Sequence, residues 1–124
     1  MLRALFAATA LTLLALPALA QPPVLIVFFP DWSGQIDSAA TQVIAQAAKL
    51  ANDNPSAAVT VTGYADNTGS SQSNVYLSEL RAQRVIDGLM ADGIPAQRLK
   101  LVAAGQQNQR GVASRRVEIA ITGQ

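Results

Sequence analysis

The sequence predicts a small α/β fold, a two-layer βαβαββ sandwich with both helices on one face of a mixed sheet. Two observations predict it. Runs with the three-and-four spacing of an apolar helix face alternate with short runs of strand character. Two further strand-like runs, joined by a polar connection, then close the chain. No internal repeat, low-complexity stretch or long linker interrupts this order, so a single domain is expected.

The first twenty residues, "MLRALFAATALTLLALPALA", stand apart from that domain. Arg3 supplies a basic start, Ala4 to Leu16 an apolar run, and "ALA" before Gln21 a small-residue cleavage site, so residues 1–20 read as a cleaved signal peptide. Pro17 ends the apolar run short of the roughly 20 residues that a membrane span needs. The domain is then expected over residues 21–124, exported and soluble.

The first strand is expected at "PVLIVFF", residues 23–29, an unbroken apolar run that reads as buried on both faces and stops at Pro30. "DWSGQIDSAATQVIAQAAKLANDNP" follows with Ile36, Ala40, Val43, Ala47 and Leu50 on one helix face, and Asn54 and Pro55 end that helix. In "AAVTVTGY", residues 57–64, Val59, Val61 and Gly63 alternate with Thr60 and Thr62, the period of a half-buried strand. "ADNTGSSQS" is a loop, being too rich in turn formers for anything else. A second helix is predicted from about Asn74 to Met90, on Leu77, Leu80, Val85, Ile86 and Leu89, and "ADGIP" closes it. "RLKLVAAG", residues 98–105, and "RRVEIAITG", residues 115–123, are the last strands.

Composition excludes much chemistry. The chain has no cysteine and no histidine, which removes disulfides, thiolate metal sites, a lipidated cysteine and His-dependent catalysis. Setting Arg3 aside from the nine basic residues leaves eight, against eight acidic ones, so the domain is formally neutral and implies no nucleic-acid partner. No nucleophile and base pair stands out, so no enzyme is expected, and no cofactor or metal is implied.

The candidate site is the loop after the second strand, since open α/β sheets bind ligands where strands end and helices begin. Gly63 and Gly69 allow close backbone approach, and Asn67, Thr68, Ser70 and Ser71 can hold the turn. Asp66 puts a negative charge on this rim, and Arg81 lies along the edge of the second helix's apolar stripe. Two readings follow from these residues. Asp66 and Arg81 either pair with each other in a surface salt bridge, or stand on opposite sides of a pocket for a zwitterion, the acid taking an ammonium and the guanidinium a carboxylate. Asn74 can brace the loop or meet the ligand. Arg115 and Arg116 read as solvated edge charges, and Trp32 as a core or hinge aromatic.

These residues carry a resemblance. "VTVTGYADNTGSSQSNVYLSELRAQRVIDGLMADGI" is similar to the central motif of the OmpA-like C-terminal domain, approximately G-H-T-D-x-x-G followed by N-x-x-L-S-x-x-R-A. Gly63, Asp66, Gly69, Asn74, Leu77, Ser78, Arg81 and Ala82 match at the family's spacing. "SRRVEIAI" looks like its closing strand and "VFFPDWSGQID" like its opening turn. The resemblance implies noncovalent binding of peptidoglycan through the diaminopimelate of its stem peptides, anchoring or organising the cell envelope. The positions matching Asp66 and Arg81 would receive the ligand's ammonium and carboxylate, those matching Asn74 and Leu77 would line the pocket, and Asp31 joins them as a further pocket residue. The implied location is periplasmic and wall-associated, with an envelope membrane protein as a partner that supplies a second attachment. Tyr64 and Ala65 stand where the family commonly has His and Thr, and Ser114 where it has Asn; these departures are expected around the pocket. The alternative is a degenerate domain serving as a structural or protein-interaction module.

Overall fold

A computed structural model describes residues 22–123. The expected leader, residues 1–20, lies outside the described residues. The element order is β1 (Val24–Phe28), α1 (Ser38–Asp53), β2 (Ala58–Ala65), α2 (Ser71–Ala91), β3 (Leu99–Gln106) and β4 (Arg116–Thr122), with short 3₁₀ turns at Ala96–Arg98 and Val112–Ser114. The predicted two-layer α/β arrangement is the one observed.

The sheet runs β1-β4-β2-β3. β4 inserts antiparallel between β1 and β2, and β3 lies parallel to β2 at the far edge. Consecutive strands β3 and β4 are therefore not neighbours, although they follow each other in sequence. β1 is an edge strand with one buried face, which corrects the expectation that it is buried on both. Val27 and Phe29 point into the core, whereas Val24, Ile26 and Phe28 are 52%, 39% and 48% exposed on the other side. An unbroken apolar run looks the same in both cases, because the outward positions of an edge strand carry no polar mark here.

The core lies between the sheet and the helices. Val59 and Val61 of β2 and Val117, Ile119 and Ile121 of β4 meet Ile44, Ala47, Ala48 and Ala51 of α1 and Ala82, Val85 and Leu89 of α2. Burial of each branched side chain contributes about 1.5–3 kcal/mol. Alternation along β2 and β4 works as the sequence predicts, with Thr60, Thr62 and Tyr64, and Arg116, Glu118 and Ala120, on the half-buried outer face.

Both helices start where a side chain caps them. Asp37 accepts a hydrogen bond from the Ala40 amide at 2.8 Å, so α1 begins at Ser38 and residues 31–37 form a loop instead of the expected helical start. Ser70 accepts from the Ser73 amide at 3.1 Å and starts α2 at Ser71, three residues before the predicted boundary. Leu80, expected on the apolar stripe, is 42% exposed and lies against Gly34 of the 31–37 loop.

Gly63 fixes how close α2 comes to β2. A Cβ at this position would overlap the Ser78 carbonyl oxygen, so the strand and helix backbones touch. Ser78 Oγ in turn accepts from the Gly105 amide of β3 at 3.0 Å. These contacts hold the β2–α2 loop at one end of the sheet, beside the β1–α1 loop and the start of β4.

Candidate functional site

Asp66 follows the last residue of β2 and is 5% exposed. One carboxylate oxygen, Oδ1, accepts from the Thr68 amide at 3.0 Å and from the Thr68 hydroxyl. The other, Oδ2, meets Arg115 Nη1 at 3.3 Å. Burial pushes the Asp66 carboxyl up, yet the Thr68 hydroxyl, the Thr68 amide and the Arg115 guanidinium together hold it below the usual carboxylate range. It is therefore ionised at neutral pH although almost fully buried.

Arg115 is the residue that sequence reasoning missed. Instead of a solvated edge charge, its side chain is 18% exposed and bridges two acids, with Nη1 at 3.0 Å from Asp31 Oδ1 and 3.3 Å from Asp66 Oδ2. Nε donates to the Phe29 carbonyl at 3.1 Å. A signal was present in strand parity. Arg116 shares the outer face with Glu118, which puts Arg115 on the helix-side register of Val117, where a charge needs partners. Asp31, expected in the pocket, does sit there, at the exposed rim with 68% of its side chain open.

Arg81 is placed differently from both sequence readings. It is wholly buried, and its ion pair with Asp66 does not form. Its guanidinium spends its fork on backbone: Nε donates to Ser33 O at 2.8 Å, Nη2 to Pro30 O at 2.9 Å and Nη1 to Tyr64 O at 3.0 Å. The Phe29 ring lies beneath it, 5.4 Å from centroid to Cζ. Burial, and then the neighbouring Arg115 charge, lower its pKa to about 10, which leaves it protonated at neutral pH. Arg81 thus ties the β1–α1 loop to the end of β2 and turns no face to solvent.

Asn74 is 1% exposed and braces the loop, its Nδ2 donating to Thr68 O at 2.9 Å and to Gln106 Oε1 at 3.0 Å. Leu77, one turn further along α2, is half-buried and lies outside the core cluster. Trp32 is not a core residue: it is 55% exposed and its ring covers Gly69 so closely that a Cβ there would overlap it. It also holds φ 52°, a left-handed conformation that costs a residue other than glycine about 1 kcal/mol or more. The aromatic therefore roofs the turn that carries Asp66.

One of the departures expected around the pocket does not face it. Tyr64 points to the outer face of the sheet, where its hydroxyl lies 3.2 Å from Glu118 Oε2 and Arg116 stacks 4.0 Å over its ring. Ala65 is fully buried. Ser114 precedes Arg115 and is also buried, its amide donating to Gly111 O at 3.0 Å. Among the described residues no cluster of three or more Asp and Glu could hold a metal ion. What remains at the rim is a cluster of two acids and the Arg115 guanidinium, with the Arg81 guanidinium buried behind it, an arrangement suited to a ligand that carries both signs of charge.

The OmpA family model matches residues 28–120. A peptidoglycan-associated lipoprotein of Agrobacterium fabrum is 33% identical over 81 residues, 65% of this chain and 46% of that protein. The probable lipoprotein YiaD of Escherichia coli is 30% identical over 104 residues, 77% of this chain and 48% of that protein. The peptidoglycan-binding protein ArfA of Mycobacterium tuberculosis is 39% identical over 75 residues, covering 54% of this chain and 23% of that protein. The chain thus spans about half the length, or less, of these curated relatives. Among solved structures, the peptidoglycan-associated lipoprotein from Burkholderia pseudomallei superposes with a TM-score of 0.72 at 22% identity, over 79% of this chain and 90% of that one. The C-terminal domain of Helicobacter pylori MotB gives 0.70 at 24% identity, over 80% and 84%. Likeness at this level of identity concerns the fold.

Proposed function

The chain belongs to the OmpA family, and from that premise we propose that it is a peptidoglycan-binding module of the cell envelope, without a catalytic step of its own. The relatives named for peptidoglycan association or binding support this reading. The observation that carries it is Asp66, a nearly buried carboxylate kept ionised at a rim where Arg115 is, among the described residues, its ion-pair partner. The ligand group proposed is the zwitterionic end of diaminopimelate in a stem peptide. Its ammonium goes to Asp66, with Asp31 beside it. Arg81 stands directly behind the rim and acts as a positioning residue, since its guanidinium is held by the Pro30, Ser33 and Tyr64 carbonyls and meets a carboxylate only if the first two withdraw. Asn74 keeps the loop in register, and Leu77 is assigned to the pocket wall.

Charge-assisted contacts of about 1.5–3 kcal/mol each, less the cost of ordering the ligand, predict weak binding per site. A repeating polymer compensates by effective concentration. The proposed location is the periplasm, against the wall, with an envelope membrane protein supplying a second attachment.

The test is co-sedimentation with insoluble peptidoglycan. The protein is expected in the pellet and Asp66→Ala in the supernatant while still folded at the assay temperature. Equal pelleting of both, or of neither, contradicts the assignment. One observation favours a second reading, a protein-interaction module: the outward row Val24, Ile26 and Phe28 on the free edge of the sheet. If the protein stays in the supernatant and Ile26→Lys alters its behaviour in envelope extracts, that reading gains.

A further inference from the structure

Arg115 occupies the place that an incoming cation needs. Asp66 offers a ligand one side only: Oδ1 already accepts two hydrogen bonds from Thr68, and Oδ2 is met by Arg115 Nη1 at 3.3 Å. The Asp66 side chain is 6% exposed, so an ammonium that reaches the carboxylate arrives at Oδ2. Two cations on one oxygen, with little water to screen them, repel each other strongly. The ammonium therefore displaces the guanidinium from Asp66.

Arg115 is anchored in a way that survives this loss. Nε keeps the Phe29 carbonyl at 3.1 Å, and the exposed Asp31 carboxylate remains 3.0 Å from Nη1. These bonds use Nε and Nη1, which leaves Nη2, and the Nη1 donor freed from Asp66, for a planar acceptor. The side chain reaches solvent, at 18% exposure. Arg81 offers the opposite case, being wholly buried with its guanidinium on three backbone carbonyls. A carboxylate reaches Arg115 without moving a loop and reaches Arg81 only by moving one.

We propose that Arg115 is the specificity-determining residue of this site: a resident surrogate for the ligand's ammonium on Asp66, it turns on binding to the ligand's carboxylate. The inference rests on the peptidoglycan reading above and deepens it. One internal ion pair opens and two intermolecular pairs form, so the exchange balances only for a ligand that brings both charges. An ammonium alone strands Arg115 with a single exposed acid, and a carboxylate alone leaves the Asp66 pair closed.

The experiment compares two tripeptides, L-Ala-γ-D-Glu-meso-diaminopimelate and its lysine analogue, which keeps the side-chain ammonium and lacks the neighbouring carboxylate. Titration calorimetry of the protein should favour the diaminopimelate peptide by at least about tenfold, the scale of one charge-assisted pair. Arg115→Gln should bind the two peptides equally, with the lysine peptide bound more tightly than by the unsubstituted protein. A preference that persists in Arg115→Gln, a parallel loss of both peptides at unchanged melting temperature, or no preference in the unsubstituted protein overturns the Arg115 assignment and leaves the wall-binding reading intact. Binding of neither peptide nor insoluble peptidoglycan by the unsubstituted protein overturns that reading, and this inference with it. Should Arg115→Gln fold poorly, the unsubstituted protein decides by NMR. The Arg115 Nε–Hε resonance is expected to shift on saturation with the diaminopimelate peptide while that of Arg81 stays in place; an unmoved Arg115 resonance overturns the exchange.

Discussion

At Asp66 two effects oppose each other: burial disfavours the charged carboxylate, and the Thr68 and Arg115 donors favour it, with the donors prevailing. A depressed folded-state pKa contributes stability that is present above the ordinary carboxylate value of about 3.9 and is lost as pH falls through the lower folded value. Peptidoglycan binding by this residue should therefore stay level from pH 8 to pH 5 and fail only in stronger acid. A binding curve with a midpoint between pH 5 and pH 7 would contradict that origin. Arg81 carries a different load. Its removal leaves the Pro30, Ser33 and Tyr64 carbonyls without their donor, and Arg81→Ala should cost roughly 2–5 kcal/mol, read as the loss of urea midpoint at constant slope. Asp66→Ala removes a rim group, and its melting temperature should move far less. Spacing found both residues but not their division of labour, because a sequence shows that Arg81 borders an apolar stripe and not which carbonyls fold over it.

The elements that hold the site depend on close backbone contact. Gly63→Ala drives a methyl group into the Ser78 carbonyl and should lower the melting temperature by several degrees while forcing β2 from α2. Ser70→Ala removes the cap of α2 and should cost about 1 kcal/mol, read from the same denaturant series. The second helix, the loop and the alternation of β2 and β4 were legible because period and turn chemistry agree there. The β1–α1 loop was not. Apolar spacing runs on through Ile36, so the sequence reads as helix from near Asp31, whereas the Asp37 cap delays the start to Ser38 and frees Asp31 to meet Arg115. Trp32, read as core or hinge, instead lies over Gly69, a tertiary contact that no local pattern encodes.

For the whole molecule, the α/β class follows from the order of elements, while the strand order β1-β4-β2-β3 does not. That order brings the β1–α1 loop, the β2–α2 loop and the head of β4 to one end of the sheet, and so groups Asp31, Asp66 and Arg115 there. The resemblance supplied the register of Asp66 and Arg81, and its departure at Tyr64 is explained by facing. Tyr64 works on the outer face with Arg116 and Glu118, away from the rim. A site built on exchange of ion pairs at a partly exposed rim should weaken with salt, by a visible loss of pelleted protein between 50 and 500 mM NaCl, as the Debye length contracts from roughly 14 Å to 4 Å. Whether this end of the sheet holds peptidoglycan is decided by an amide shift map of the protein titrated with the diaminopimelate tripeptide. Saturable shifts are expected at Asp31–Ser33, Asp66–Ser70, Asn74–Leu77 and Ser114–Arg116, abolished in Asp66→Ala; shifts centred on the Val24–Phe28 edge, or unchanged by that substitution, overturn the assignment.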